Sequence, residues 1–272
     1  MTLVANARMY AVDPAAAPAW ATLFHRIAVA ANLPLEVIEH PFPLSVSDLW
    51  KRHDLACAFM CGLPWARAGA EHPAIAAPVP LMPYPGAQQR SVYWSNLVVA
   101  ADSPARTLDD LRGARVAYTL LDSQSGFSAL RHHLLALGDA APRFRTVTGP
   151  LTTPRRAMEA VADGRVDLAP IDSYAHALLR RHVPALADRV RIVARTAPTP
   201  IPLLVASPGL DPAVIARLRA AFLALDDPAL LEPLQLVRFA TPLPLAEYRL
   251  MEQQAQSAEH AGVHDLTRFV NA

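Results

Sequence analysis

The feature that most constrains this 272-residue chain is a rhythm of short apolar strands separated by helices, which runs once and starts again after Ala101-Asp102-Ser103-Pro104. Strands joined through helices pair mainly in parallel and take helices on the faces of the sheet. In the first round, Leu3 to Tyr10, Leu35 to Glu39 and Leu55 to Met60 read as strands. Ala16 to Leu33 reads as an amphipathic helix and Val46 to Arg52 as a short one. Ile75 to Leu81 and the long run Arg90 to Ala100 are further strands. The second round places strands at Arg115 to Thr119, Phe144 to Val147 and Val166 to Ile171, with helices after Ser128, at Thr153 to Asp163 and at Ala175 to His182. Strands Val190 to Ala194 and Leu203 to Ala206 and helices Pro212 to Leu225 and Leu245 to Ala261 close the chain. This α/β pattern puts an inserted lobe at residues 99–200 inside a first lobe made of 1–98 and 201–272. Two crossings between such lobes are expected to leave a cleft, and ligands bind outside the carboxyl ends of parallel strands.

Composition excludes several other classes. Hydrophobic residues make up 53% of the chain, enough to fill sizeable cores. The formal net charge is +1 and the basic residues are spread out, which is no footprint for nucleic acid or for an anionic membrane surface. No stretch approaches the ~18–20 apolar residues of a membrane span. The N-terminus shows no secretory signal, so the expectation is either a cytoplasmic protein or one whose export signal lies upstream or has been removed. The two cysteines, Cys57 and Cys61, are expected to be buried thiols, since the ends of a strand are too far apart for a disulfide.

The chemistry concentrates in Asp122-Ser123-Gln124-Ser125-Gly126-Phe127-Ser128, between a strand and a helix. The first turn of a helix leaves backbone N–H groups without intrahelical acceptors, and the positive end of the helix dipole lies there too. Hydroxyls and a glycine at that point make an anion cradle, with Gly126 allowing close approach of a ligand. The alternative is a helix cap made by Ser123 or Ser125. Asp172 has the same two readings, a pocket carboxylate or the cap of the helix after it. His132 and His133 are adjacent on the cradle helix, so at most one faces a ligand. His260 and His264 are read as a solvated face. Arg8 and Arg67 lie in loops where a guanidinium can grip an oxyanion. No nucleophile elbow, Walker loop or dinucleotide fingerprint is present, so no catalytic residue, metal ligand or cofactor is assigned.

The order of these landmarks resembles the type II periplasmic binding proteins, in particular the phosphate, phosphite and phosphonate branch of ABC-transporter solute receptors. The resemblance rests on Arg8-Met9-Tyr10, on Cys61-Gly62-Leu63-Pro64-Trp65, on the crossover strand with Tyr93 and Ser95, and on Leu108-Asp109-Asp110-Leu111-Arg112-Gly113 followed by Ser123-Gln124-Ser125-Gly126-Phe127. Gly164-Arg165-Val166-Asp167 through Asp172-Ser173-Tyr174 completes it. The resemblance implies a two-lobed type II fold joined by two crossover strands. It implies that Ser123, Ser125, Gly126, Phe127 and Ser128 hold an oxyanion, that Tyr10, Trp65, Tyr93 and Ser95 line the site, and that Asp172 accepts from a protonated oxygen or an amine. It further implies a transporter permease as partner if the protein is exported. The family's residue between the two hydroxyls is often small, and here it is Gln124. Two other functions stay open: an enzyme on the same fold, of the menaquinone or thiamine-pyrimidine type, and a small-anion sensor.

Overall fold

The computed structural model of the chain describes residues 2–81, 89–138, 141 and 143–270. Its contacts divide into two units, Met1–Val92 with Pro200–Leu245, and Tyr93–Thr199 with Ala246–Ala272. In chain order the first unit opens with β1 (Leu3–Asn6), α1 (Ala17–Ala31), β2 (Leu35–Val37), α2 (Val46–Trp50), β3 (Leu55–Met60), α3 (Gly62–Arg67) and β4 (Ala74–Pro80). The chain crosses at β5 (Val92–Tyr93). The second unit follows with β6 (Ser95–Ala100), β7 (Arg115–Ala117), α4 (Ala129–Leu137), β8 (Thr146–Thr148), α5 (Pro154–Ala162), β9 (Ala169–Asp172), α6 (Ser173–His182), α7 (Pro184–Ala187) and β10 (Val190–Arg195). It returns at β11 (Thr199–Pro200) to β12 (Leu203–Val205), α8 (Pro212–Leu223), α9 (Pro228–Leu231) and β13 (Leu236–Ala240), and ends with α10 (Leu245–His260).

The six-stranded sheet of the first unit has the order β13-β4-β12-β3-β1-β2. β1 pairs in parallel with β2 and β3, while β12 runs antiparallel to β3 and β4, and β13 antiparallel to β4. The strands laid down before the crossing therefore share one direction, and those added after the return oppose it. Every residue of β3, Leu-Ala-Cys-Ala-Phe-Met, is buried, as a strand covered on both faces must be. α1 buries Trp20, Leu23, Phe24, Ile27, Ala28 and Ala31, the helical spacing of an apolar stripe, and stops at Asn32 in the left-handed conformation (φ 50°). Its Trp20 meets Phe59 edge-on at 5.1 Å, and Phe24 meets Phe222, which in turn packs on Phe239 at 4.9 Å. Edge-to-face pairs of this kind add about 0.5–1.5 kcal/mol each beyond the area they bury.

In the second unit β6 is the middle strand of β10-β6-β9 and opposes both neighbours. β7 pairs in parallel with β8, and Val116 bridges in parallel to Leu168, just ahead of β9. The core of this unit gathers Leu97, Val99, Val116, Phe127, Leu130, Leu134, Phe144 and Leu168 with Ala258, Val263, Leu266 and Phe269.

That last group departs from the sequence reading, which gave residues 201–272 to the first lobe. The chain crosses a third time at the start of α10, because the residues that complete the second core lie beyond it. The run Arg90 to Ala100 is also not one strand. It breaks at Trp94, whose N–H donates to the Ser173 hydroxyl at 3.1 Å and whose carbonyl accepts from the Ser173 N–H at 2.9 Å. β13 and α3 were not anticipated: Leu236–Ala240 carries Arg238 at mid-strand, and Gly62 and Pro64 in α3 are poor helix formers.

Candidate anion-binding site

The cradle lies wholly within the second unit. Ser123 is extended (φ −77°, ψ 127°), and its hydroxyl accepts from the Gly126 N–H at 3.0 Å. Gln124–Ser128 then makes a π turn that continues without a break into α4, so one helix runs from Gln124 to Leu137. Within the turn the Ser128 N–H reaches the Ser123 carbonyl at 3.0 Å, and the Ala129 N–H reaches Gln124. The wider π turn leaves the N–H groups of Gln124, Ser125 and Phe127 without intrahelical acceptors, while Ser123 satisfies that of Gly126. Those donors, with the helix dipole behind them, favour negative charge.

β6 holds the turn in place. The Ser95 hydroxyl, on β6, donates to the Ser125 carbonyl at 2.7 Å. Ser95 is itself fixed by Thr196, which accepts from the Ser95 N–H at 3.0 Å and donates its own N–H to the Ser95 carbonyl at 3.1 Å. Across the β6–β9 ladder Ser95 stands opposite Asp172. Ser95, Ser125 and Asp172, far apart in sequence, are thereby brought together.

Asp172 caps α6: one carboxylate oxygen accepts from the N–H groups of Tyr174 at 2.8 Å and Ala175 at 2.9 Å. Burial, and then the charge of Asp172, push the Tyr174 hydroxyl well above the ordinary phenol range. Gly126 lies against the side chain of Thr119. A Cβ there would lie 1.7 Å from Oγ1 of Thr119, so the glycine makes room for a side chain of its own unit. The Phe127 ring is core: it packs 5.2 Å from Tyr118, and the Arg131 guanidinium sits 4.7 Å over it. Arg131, almost fully buried, also donates to the carbonyls of Val263 at 2.7 Å and His264 at 2.8 Å. Tyr93 is buried at the entry to the second unit.

The residues assigned to the first unit stand in its own packing. Tyr10 is buried edge-on to Phe59 at 4.9 Å. The Trp65 indole donates to the His72 carbonyl at 2.9 Å and borders a cavity of about 330 Å³ with Ala74, Ile75, Arg219, Leu223 and residues 241–243. Arg8 donates to the carbonyl of Leu44, and burial lowers its basicity. Both cysteines are free and buried, and burial raises the Cys57 thiol.

Two features escaped the sequence. Gln124 is fully buried, and among the described residues neither its amide nitrogen nor its amide oxygen has a partner; the Ser128 hydroxyl, four residues on, is in the same state. Beside Ser95, Asn96 links the Trp94 indole, which donates to it at 2.9 Å, to Nδ1 of His176 at 3.1 Å. Burial, with the charges of Arg180 and Arg195, holds His176 down at about 4, so it is neutral at pH 7. A polar Asn inside an otherwise apolar strand was the available signal.

Comparison with known proteins now decides the lineage. Residues 49–248 match the family model described as the periplasmic substrate-binding protein of phosphonate ABC transporters. The chain belongs to this family. It is a solute-binding protein, and its fold is the two-lobed type II periplasmic-binding-protein fold. Among solved structures it is similar to PhnD1 from Prochlorococcus marinus in complex with methylphosphonate (TM-score 0.77, 16% identity, 95% of this chain and 98% of that one). It is also similar to a binding-protein component of an ABC phosphonate transporter from Pseudomonas aeruginosa (0.73, 17%, 96% and 89%) and to a Xanthomonas citri protein bound to chloride (0.64, 20%, 97% and 99%). A search of curated proteins finds no match. The family is one of transporter receptors rather than enzymes, with a small ligand and a permease as partners, and it is periplasmic. No helix among the described residues is long and apolar enough to cross a membrane.

Proposed function

We propose that this chain is the receptor of a phosphonate importer, and that its second unit takes the anionic head of the ligand at the start of the Gln124–Leu137 helix. The observation that carries this is the anchored turn: Ser123 caps it, Ser95 ties its carbonyl side, and its remaining N–H groups point where an oxyanion is stabilised. Ser125 and Phe127 contribute backbone amides and Ser128 its hydroxyl, Gly126 keeps the turn close to Thr119, and Ser95 acts as the brace. Asp172 stands across from that brace, placed to accept from a protonated oxygen or an amine on the ligand. Tyr93, buried beside the same strand, contacts the organic group. The loaded receptor then delivers the anion to its permease.

Thermal shift of the whole protein against methylphosphonate, phosphite, phosphate and sulfate tests this, with Ser125→Ala alongside. A ligand present at 100 times its dissociation constant stabilises the native state by about 2.7 kcal/mol, roughly 5–10 °C in Tm for a protein of this size. A phosphorus oxyanion is expected to give that shift in the wild type and a clearly smaller one in Ser125→Ala. Stabilisation by carboxylates alone, or an undiminished response in the variant, sinks the assignment.

A further inference from the structure

Resting on the phosphonate reading above, the buried amide of Gln124 carries the ligand class further. A buried amide normally meets hydrogen-bond partners for both ends, and one left unmet costs about 1–3 kcal/mol per group. Among the described residues Gln124 has neither partner although it is 0% exposed, and the Ser128 hydroxyl on the next turn is likewise unmet. The two residues begin a helix of fourteen residues, Gln124–Leu137, at the end where an anion is favoured. A helix start suits any anion, whereas an amide edge is more selective, because it offers one donor and one acceptor side by side. The complementary edge is an oxyanion with one bare oxygen and one protonated oxygen. Its bare oxygen accepts from the amide N–H₂, and its O–H donates to the amide oxygen, the pairing by which an amide holds a carboxylic acid.

We infer that Gln124, assisted by the Ser128 hydroxyl, is the specificity determinant of this site and selects the monoprotonated form of a phosphorus oxyanion over anions that carry no proton. Sulfate at neutral pH has only acceptors and leaves the Gln124 oxygen unmet. A hydrogen phosphonate satisfies both ends.

Titration calorimetry on the full-length protein with methylphosphonate and sulfate from pH 5.5 to 8.5 tests this, in wild type, Gln124→Met and Gln124→Glu. The wild type is expected to prefer methylphosphonate by about tenfold or more, the worth of one hydrogen bond to a charged group, and to bind it less well as pH rises through its second ionisation. Gln124→Met is expected to lose most of the preference and to flatten the pH slope, leaving attraction to the helix start and what Asp172 adds by accepting from a protonated oxygen. Its unliganded Tm is expected to hold or rise, because an unmet polar group is removed. In Gln124→Glu, binding is expected to be absent at high pH and to return on acidification, when the protonated side chain again presents a donor beside an acceptor. Wild-type binding with the preference and slope retained in Gln124→Met overturns the role of Gln124 and leaves the phosphonate reading intact. So does a fall of several degrees in its Tm, which means that the amide is bonded within the protein. Should Gln124→Met not fold, a Gln124→Glu protein that binds equally at all pH values overturns the role by itself. A wild type that binds neither anion overturns both.

Discussion

His176 makes the acid stability of the second unit depend on one imidazole. The residue is 4% exposed and its ring sits against the Asn96 amide with Arg180 and Arg195 nearby. In the unfolded chain it takes a proton near pH 6.5; in the fold, burial first and the two arginines second hold that proton off until about pH 4. Between those values the unfolded state binds more protons than the native one, so stability rises with pH there and is lost as pH falls from about 6.5 towards 4. The gap corresponds to about 3 kcal/mol in full, and roughly 2–3 kcal/mol of it is lost between pH 7.5 and 4.5. At 2–4 °C per kcal/mol, that is roughly 5–10 °C of melting temperature. Parallel thermal scans of wild type and His176→Gln across this range isolate the effect, because the other groups titrate in both proteins. The difference between their Tm values is expected to close or change sign in favour of His176→Gln as the pH drops. Parallel curves that keep a constant separation refute the argument and mean that His176 takes up its proton over the same pH range in the native and the unfolded protein.

Gly126→Ala is expected to cost about 1–3 kcal/mol through the collision with Thr119. Adding Thr119→Ala should recover part of this in a double-mutant cycle by urea unfolding, and strict additivity of the two would contradict the contact. Asp172→Ala removes the acceptor of two α6 N–H bonds and is expected to lower stability by about 1–2 kcal/mol, whereas Asp172→Asn loses less because its amide oxygen still caps. Arg131→Met should release the segment after α10, seen as faster hydrogen exchange at Val263 to Phe269 with little change in β3. Unchanged exchange there would mean that the apolar contacts alone hold it.

Much of this could be read from the residues because local rules and tertiary demands agree. The α1 stripe, the fully apolar β3 and the start of the cradle helix each express a single periodicity or cap, and each is found within a few residues of its expected place. Disagreement arises where a long-range partner overrides the local pattern. Trp94 follows the strand formers Val92 and Tyr93 within a run that reads as one strand, yet Ser173, distant in sequence, takes its backbone bonds and ends the strand. At the site, hydroxyls beside a helix start were legible, but their division of labour was not: Ser123 caps, Ser95 braces, and Gly126 serves Thr119. Thr119 and Thr196 carry no local signal at all, since their importance comes entirely from what β6 and the turn bring to them.

Neither unit is written as one continuous sentence of the chain. The first waits for Pro200–Leu245 to lay down β12 and β13, and the second waits for the last residues to deliver Val263, Leu266 and Phe269. During synthesis, therefore, a growing chain stopped at residue 190 holds the Ser123–Ser128 turn but lacks residues that both cores need. Domains ordinarily fold as they emerge, from the N-terminal end onward; here the first unit cannot close before Pro200–Leu245 has emerged, nor the second before Phe269, so the two cores are completed one soon after the other, not in turn.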